Sequence, residues 1–194
     1  MNYALGVTGY PGSGKSIVTK IADSIGFKTV SMGDQIRRRT REDWGDRLQK
    51  AKDGKSDEIP SDVYGEYATE MREKHGRGIV ATWCKNEIIN SNEPVFIDGI
   101  RSPESLHRFE NYVDIELMFI HAPASLRFEW VKNRARDNEE NFTIEDFINR
   151  DHRENKWGLN ELIVESDYTY HNCIGKKDFE RKIKSELENL YYTH

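Results

Sequence analysis

The sequence has no excess of basic residues. Its 194 residues include 34 acidic and 29 basic side chains, which gives a formal charge of −5. A protein that holds nucleic acid along its surface needs a surplus of clustered positive charge to neutralise the phosphates. The overall balance is the opposite, so nucleic acid is not an expected partner.

Metal-binding cysteine patterns, clustered histidines and long apolar runs are also missing. Cys84 and Cys173 lie far apart in no metal-binding spacing, and the six histidines occur singly. We therefore expect two buried free thiols in a reducing compartment. No apolar stretch reaches membrane-spanning length, and the first ten residues lack the basic flank and cleavage site of a secretory leader. The prediction is a cytoplasmic protein with no membrane partner.

Short apolar runs alternate with segments of helical periodicity. At this length, with 36% hydrophobic residues, the chain suits one domain rather than two. Strands separated by helices favour a parallel sheet covered on both faces. A polar surface loop is predicted at 53–60, and Phe147 and Ile148 are predicted to face the core. The predicted strands are 3–7, 27–30, 94–97, 115–120 and 167–171, and the predicted helices begin near 15, 34, 62, 78, 103, 123, 143 and 179.

The first predicted strand continues into a glycine-rich loop. Residues 9–16 have the sequence G-Y-P-G-S-G-K-S and match the pattern G-x-x-x-x-G-K-S in full. The loop follows a strand and begins a helix, which is the context in which this pattern binds a nucleoside triphosphate. Backbone N–H groups of such a loop point at the phosphates, and the helix N-terminus adds positive potential. The predicted nucleotide-binding residues are Gly9, Tyr10, Pro11, Gly12, Ser13, Gly14, Lys15 and Ser16.

The glycine-rich loop and the third predicted strand together predict a magnesium site. Lys15 is expected to contact the β- and γ-phosphates of ATP, and the Ser16 hydroxyl is expected to bind Mg²⁺. Asp98 follows an apolar strand and supplies the acid that such a site requires. Aspartate is also common in turns ahead of a glycine such as Gly99. The expected cofactors are ATP and Mg²⁺, with Ser16 and Asp98 as metal ligands.

Four segments resemble a group of archaeal adenylate kinase-related proteins, also described as dephospho-coenzyme A kinase-like. The shared stretches are V-T-G-x-P-G-S-G-K-S, S-M-G-D, R-E-x-H-G and D-G-I-R-S, which lie here at 7–16, 31–34, 72–76 and 98–102. The third stretch has no chemical role that follows from its residues. The resemblance spans nearly the whole chain. It implies a P-loop NTPase fold like that of nucleoside monophosphate kinases, an α/β fold with three α/β/α layers and a five-stranded parallel sheet.

The same resemblance implies where the acceptor and the lid lie. It implies an acceptor-binding helical insert at about 34–92, in which Arg37 acts together with Arg101 to hold the acceptor phosphate. Guanidinium groups suit this task because they bind phosphate bidentately. A lid at about 134–153 is implied to close its arginines over ATP, and 171–176 is implied to pass the adenine ring. The candidate lid arginines are Arg127, Arg134, Arg136, Arg150 and Arg153, of which Arg134 and Arg136 are the catalytic candidates.

Asp34 leaves two acceptor chemistries open. For a hydroxyl acceptor, as in dephospho-coenzyme A kinases, Asp34 would orient the nucleophile and take its proton. For a nucleoside monophosphate, whose oxygen is already ionised, Asp34 would cap a helix or assist Mg²⁺ binding. The S-M-G-D-x-x-R context with Arg101 favours the monophosphate, with AMP as the first candidate. The shortened D-G-x-x-R spacing, and Met32 where adenylate kinases have threonine, keep the hydroxyl acceptor open.

The sequence as a whole predicts a phosphotransferase that acts on a small nucleotide acceptor, as a monomer or homodimer. An alternative from another class is a regulatory or nucleic-acid-associated ATPase, in which the basic segment 37–41 would contact RNA. The negative charge and the lack of interleaved aromatic and basic residues argue against it. The catalytic candidates are Lys15, Asp34, Arg101, Arg134 and Arg136, and the acceptor-binding candidates are Asp34, Arg37 and Arg101.

Overall fold

A computed structural model of the chain describes residues 3–51, 61–134, 142–173 and 175–194. The strands in these ranges are β1 (Tyr3–Thr8), β2 (Lys28–Ser31), β3 (Val95–Asp98), β4 (Asp114–His121) and β5 (Tyr168–His171). The helices are α1 (Lys15–Ile25), α2 (Met32–Ala51), α3 (Ser61–His75), α4 (Ile79–Ile89), α5 (Pro103–Glu110), α6 (Ala124–Arg134), α7 (Ile144–Trp157), α8 (Leu162–Glu165) and α9 (Lys176–Thr193).

The strands form one parallel sheet in the order β2-β3-β1-β4-β5. In the described ranges, one helix joins β1 to β2 and one joins β3 to β4, while α2 to α4 join β2 to β3 and α6 to α8 join β4 to β5. The predicted α/β fold with a five-stranded parallel sheet is confirmed. The polar loop predicted at 53–60 lies outside the described residues.

Side chains of β1 alternate between two hydrophobic cores, because successive residues of a strand point to opposite faces of the sheet. Leu5 and Val7 pack with residues of α1 and α9, while Ala4 packs with residues of α2, α3, α4 and α5. The strand is fully buried on both faces. This burial explains why its sequence is a continuous apolar run rather than an alternating pattern.

The start of α2 differs from the prediction that Asp34 begins this helix. The helix begins at Met32, and the Ser31 hydroxyl accepts a hydrogen bond of 3.2 Å from the Asp34 N–H. A serine bonded to the backbone three residues ahead has the geometry of an N-cap. Ser31 therefore supplies the cap, and Asp34 lies in the first turn.

The apolar residues of α7 are divided between core and solvent. Thr143 caps the helix in a reciprocal capping box with Asp146, as the sequence predicts for Thr143. Phe147 is buried, but the prediction for Ile148 is wrong because its exposed fraction is 45%. Adjacent helical residues point about 100° apart, so only one of the two faces the core.

The two thiols lie in different environments. Cys84 is buried in α4, and burial raises its pKa to about 12. The prediction is wrong for Cys173, which is exposed beyond the end of β5. Across the described ranges, no helix has the length and apolar character needed to cross a bilayer.

Candidate active site

The carboxyl ends of β1 and β3 lie side by side in the sheet. Val7 pairs with Asp98, so the glycine-rich loop that follows β1 and the turn that follows β3 leave the same edge. The N–H groups of Gly99 and Ile100 both donate to the Val7 carbonyl, at 3.2 and 3.3 Å. Ligands of open parallel sheets bind at this edge. A cavity of about 1040 Å³ opens there, and both loops line it.

Three glycines give the 9–14 loop its curvature. Gly9, Gly12 and Gly14 have φ angles of 143°, 81° and 106°. A Cβ atom on Gly9 would lie 2.4 Å from the Ile120 carbonyl oxygen, and one on Gly14 would lie 2.4 Å from the Asn172 amide nitrogen. Any other residue would therefore be strained and crowded at these positions. The two glycines that the motif fixes, Gly9 and Gly14, are therefore required for steric reasons.

Lys15 is the central cation of the loop. Its ammonium group donates to the carbonyls of Gly9 at 2.5 Å and Tyr10 at 3.0 Å. Burial and, to a smaller extent, the charge of Arg101 lower its pKa to about 8, and Asp98 acts in the opposite direction. An anion bound in the loop would stabilise the charged form of Lys15 and raise its pKa. The site therefore suits the phosphates predicted from the sequence.

Ser16 and Asp98 both line the cavity beside Lys15. Within the described ranges, no three or more histidine, cysteine or acidic side chains gather into a metal cage. Mg²⁺ does not need such a cage, because it is normally held by one or two protein oxygens together with phosphates and waters. The Ser16 hydroxyl after the glycine-rich loop and the Asp98 carboxylate at the end of β3 therefore fit a magnesium ion.

Arg101 forms a buried ion pair with Glu154 of α7. The Glu154 side chain is only 5% exposed, and that of Arg101 is 28% exposed. Burial lowers the pKa of Arg101, but Glu154 and Asp98 outweigh it and hold that pKa above its ordinary value. The guanidinium therefore stays charged beside Lys15. The structure brings these two predicted residues into one cavity.

Arg37 and Asp34 form an exposed pair in the first turns of α2. The Arg37 Nε donates to Asp34 Oδ1 at 3.0 Å, and the two side chains are 46% and 68% exposed. Of the two, Arg37 lines the cavity and Asp34 does not. The Asp34 carboxylate faces solvent and its arginine partner, and the acceptor-binding role of Arg37 stays a prediction.

Arg127, one of the candidate lid arginines, is buried and fully engaged. It donates to both carboxylate oxygens of Asp151 in α7 and, at 3.0 Å, to the Pro11 carbonyl of the loop. Its guanidinium also lies over the Tyr10 ring, whose hydroxyl donates to Asn155 at 2.7 Å. Arg127 thus fixes α6 and α7 to the glycine-rich loop rather than closing over a ligand.

The remaining lid candidates have different placements. Arg150 and Arg153 of α7 line the cavity. Arg134 ends α6, and Arg136 lies outside the described residues, as do residues 135–141 of the predicted lid. The lid and its two catalytic arginines therefore remain predictions.

The segment after β5 contacts the glycine-rich loop, next to the position implied for the adenine ring. The Asn172 side chain donates to the Ser13 carbonyl at 3.0 Å, and its backbone N–H donates to the His121 carbonyl at 2.8 Å. Asn172 is buried and packs against Gly14. Its side chain therefore has a structural task that the sequence did not indicate.

Arg72 and Glu154 are cavity residues to which sequence reasoning assigned no role. Arg72 is 6% exposed, and its guanidinium lies 4.3 Å from the centre of the Trp157 ring. It is the first residue of the R-E-x-H-G segment, which the resemblance pointed out but for which the sequence indicated no chemical role. No sequence pattern indicated a role for Glu154, because one glutamate in a charged helix is indistinguishable from a solvated surface residue.

Sequence comparison shows the family. The AAA_17 family model, described as an AAA domain, matches residues 8–147. A UPF0200 protein of Methanococcus maripaludis is 32% identical over 189 residues, covering 96% of this chain and 96% of its own. A UPF0200/UPF0201 protein of Archaeoglobus fulgidus is 34% identical over 187 residues, which are 94% of this chain. This chain spans only 54% of the length of the Archaeoglobus protein.

Solved structures with low sequence identity share the fold. The crystal structure of TT1252 from Thermus thermophilus has a TM-score of 0.62 at 19% identity and covers 97% of this chain and 98% of its own. Dephospho-CoA kinase from Campylobacter jejuni has a TM-score of 0.55 at 19% identity, covering 98% of both chains. Shikimate kinase from Acinetobacter baumannii has a TM-score of 0.57 at 15% identity, covering 100% of this chain and 94% of its own. The predicted P-loop kinase family is confirmed: the chain belongs to the UPF0200 proteins of the AAA domain family and has a P-loop kinase fold.

Proposed function

We propose that the protein is an ATP- and Mg²⁺-dependent kinase that transfers the γ-phosphoryl group to a nucleoside monophosphate, with AMP as the first candidate. One observation carries this proposal: the glycine-rich loop with Lys15 and the arginines around Arg101 line the same cavity. A donor triphosphate and an anionic acceptor therefore have binding groups within one enclosed space. The volume of about 1040 Å³ is at the upper end of the range for small-molecule sites.

On the donor side, the loop backbone and Lys15 hold the phosphates of ATP. Lys15 neutralises the charge between the β- and γ-phosphates, and the Ser16 hydroxyl and the Asp98 carboxylate hold the metal. The bound Mg²⁺ supplies charge neutralisation at the phosphates. Arg127 and Tyr10 fix the loop against α7, so these groups keep their positions when the substrates exchange.

On the acceptor side, Arg101 and Arg37 bind the phosphate of the monophosphate. They reduce its repulsion from the γ-phosphate, which otherwise keeps two anions apart. Arg134 and Arg136 are proposed to approach from the lid and to stabilise charge on the transferring group. The acceptor oxygen is already ionised, so no base is required.

The position of Asp34 favours a monophosphate over a hydroxyl acceptor. A general base must reach the proton that it removes. The Asp34 carboxylate is exposed and paired with Arg37, outside the cavity lining. Dephospho-coenzyme A therefore serves as the comparison substrate in the test.

The test is a phosphoryl-transfer screen with γ-labelled ATP and Mg²⁺ against each nucleoside monophosphate and dephospho-coenzyme A. Labelled diphosphate from one monophosphate is the expected product. Lys15→Ala is expected to lose about 10²- to 10³-fold in kcat, while Lys184→Ala, an exposed change on α9, keeps the wild-type rate.

Two other outcomes would replace the proposal. Labelled coenzyme A would move the protein to the hydroxyl-phosphorylating class and make Asp34 the base. Release of inorganic phosphate that is indifferent to every acceptor would leave an ATPase, and stimulation of that release by RNA would identify the nucleic-acid-associated class.

A further inference from the structure

Three arginines from distant parts of the chain meet around one buried carboxylate. Arg72 comes from α3, Arg101 follows β3, and Arg153 lies in α7 next to Glu154. Arg101 forms an ion pair with Glu154, and the charges of both act on Arg72 and Arg153. All four side chains line the cavity that contains Lys15.

The three guanidinium groups are held in fixed positions by packing. Arg72 donates to the Ala68 carbonyl at 3.0 Å and stacks on Trp157 at 4.3 Å. Arg153 lies 5.7 Å from the centre of the same ring. A Cβ atom on Gly65 would come within 2.5 Å of the Arg153 guanidinium carbon, so the glycine lets that group lie against the α3 backbone. Such preorganised forks lose little entropy when they bind an oxyanion.

The cluster carries more positive charge than its partner neutralises. Among the described residues, Glu154 is the carboxylate that forms an ion pair with one of the three guanidinium groups, while the charges of Asp98 and Asp62 act on Arg101 and Arg153. Buried charge is costly unless it is paired. Burial and, to a smaller extent, the charge of Arg101 lower the pKa of Arg72 to about 10, because Glu154 only partly opposes them. The Nε atoms of Arg72 and Arg153 are buried, and neither has a hydrogen-bond partner among the described residues. The cavity is thus built to gain stability when an anion with several acceptor oxygens enters.

We infer that Arg72, Arg101 and Arg153 form the subsite for the phosphate of the acceptor, and that Glu154 is the positioning residue that holds Arg101 in it. This inference rests on the proposed function and adds two residues, Arg72 and Arg153, to the acceptor site. The surplus of positive charge matches a phosphate monoester, which carries nearly two negative charges at neutral pH. A carboxylate, with one negative charge, would neutralise less of it. Arg37, which is exposed on α2, then contacts the same phosphate from the solvent side.

The binding test uses inorganic phosphate at pH 8 as the probe, with Lys15→Ala as the parent protein so that the glycine-rich loop, without its cation, competes less for it. Calorimetry compares this parent with the same protein carrying Arg72→Lys or Arg153→Lys. Each lysine keeps the charge but removes the bidentate fork, so phosphate affinity is expected to fall by about 10- to 100-fold. The matched control is Arg181→Lys, an exposed arginine of α9, which is expected to change the affinity less than 2-fold.

Tryptophan fluorescence provides a readout that a merely structural role would not move. Phosphate bound beside the two stacked arginines is expected to change the emission of Trp157. The change should disappear in Trp157→Phe. Trp130 lines the same cavity from α6, so Trp130→Phe is the matched control, in which the change should persist. Urea midpoints establish that each variant is folded. If Arg72→Lys does not fold, Arg153→Lys and the fluorescence change decide whether phosphate binds at these arginines.

The outcomes separate this inference from the proposed function. Phosphate that does not bind the Lys15→Ala protein, or that binds all the arginine variants equally, would overturn the subsite. Arginine-dependent phosphate binding without phosphoryl transfer to any monophosphate would support the subsite and reject the kinase proposal. If transfer occurs in the protein with Lys15 intact, Arg72→Lys should raise the KM of the monophosphate about 10-fold and leave that of ATP unchanged. An unchanged acceptor KM would overturn the subsite while the kinase proposal stands.

Discussion

The guanidinium of Arg127 lies 3.0 and 2.6 Å from the two carboxylate oxygens of Asp151, in a bidentate pair that joins α6 to α7. The same guanidinium reaches the Pro11 carbonyl, so a single arginine connects both helices with the glycine-rich loop. About one turn further along α7, Glu154 forms the ion pair with Arg101. Helix α7 therefore joins the glycine-rich loop to the residue that follows β3.

Removal of Arg127 is expected to destabilise the protein strongly. Its side chain is 5% exposed and that of Asp151 is 18% exposed, so Arg127→Ala leaves a largely buried carboxylate without its partner. The expected loss is about 3–5 kcal/mol in the free energy of unfolding, measured by urea denaturation. Arg181→Ala breaks the pair with Asp178, in which the arginine is 81% exposed, and its expected cost is about 0–1 kcal/mol. Equal losses in the two variants would contradict the structural role of Arg127.

The affinity for ATP is expected to fall as the pH rises above about 8. Burial lowers the pKa of Lys15 to about 8, so the free protein holds this group charged below that pH and neutral above it. Phosphates favour the charged form, so ATP binding above pH 8 must take up a proton and weakens by up to about tenfold per pH unit.

Calorimetry at pH 7 and pH 9, in buffers of different ionisation enthalpy, measures this proton uptake. It should be near zero at pH 7 and close to one proton at pH 9. Lys15→Arg is the control, because arginine does not lose its proton in this range and should abolish the pH dependence. Uptake that persists in Lys15→Arg would assign the proton to another group.

Alanine at Gly14 is expected to disrupt the loop. The residue has a φ of 106°, and the added Cβ atom would lie 2.4 Å from the Asn172 amide nitrogen. We expect a loss of about 1–3 kcal/mol in stability and weaker ATP binding. Gly45→Ala is the control, because no heavy atom lies within 4 Å of its added Cβ in helix α2. That change should stabilise the protein by about 0.5–1 kcal/mol. Thermal unfolding with and without Mg²⁺–ATP compares the two variants, and similar behaviour would argue against the loop geometry.

Asparagine at Asp98 is expected to weaken the response to magnesium. The substitution keeps the size of the side chain at the end of β3 but removes the charge that the proposed metal site requires. We expect the Mg²⁺ concentration for half-maximal phosphoryl transfer to rise by about 10- to 100-fold. Asp23→Asn changes an exposed aspartate of α1 and should leave the magnesium dependence unaltered. A normal magnesium dependence in Asp98→Asn would remove Asp98 from the metal site.

The fold followed from local patterns because strands, helices and tight turns are set by neighbouring residues. The apolar run at β1, the glycines of residues 9–14 and the helical spacing of α1 each constrain the backbone over a few positions, and all three have the predicted form. The errors lie where the local pattern is ambiguous. Ile148 follows a core residue in a helix and points away from the core, and Cys173 lies beyond the last strand at the surface.

By itself, the sequence determined the phosphate loop and the strand-end position of Asp98, because the G-x-x-x-x-G-K-S pattern is continuous and its chemistry is local. Only the tertiary structure decided which charged residues gather around Arg101 in the cavity. Arg72, Arg101 and Glu154 are far apart in the chain and meet because α3, the end of β3 and α7 pack around one edge of the sheet. A buried arginine and a solvated arginine have the same letter in the sequence. Their difference comes from which elements pack around them, and that is fixed by contacts between distant segments.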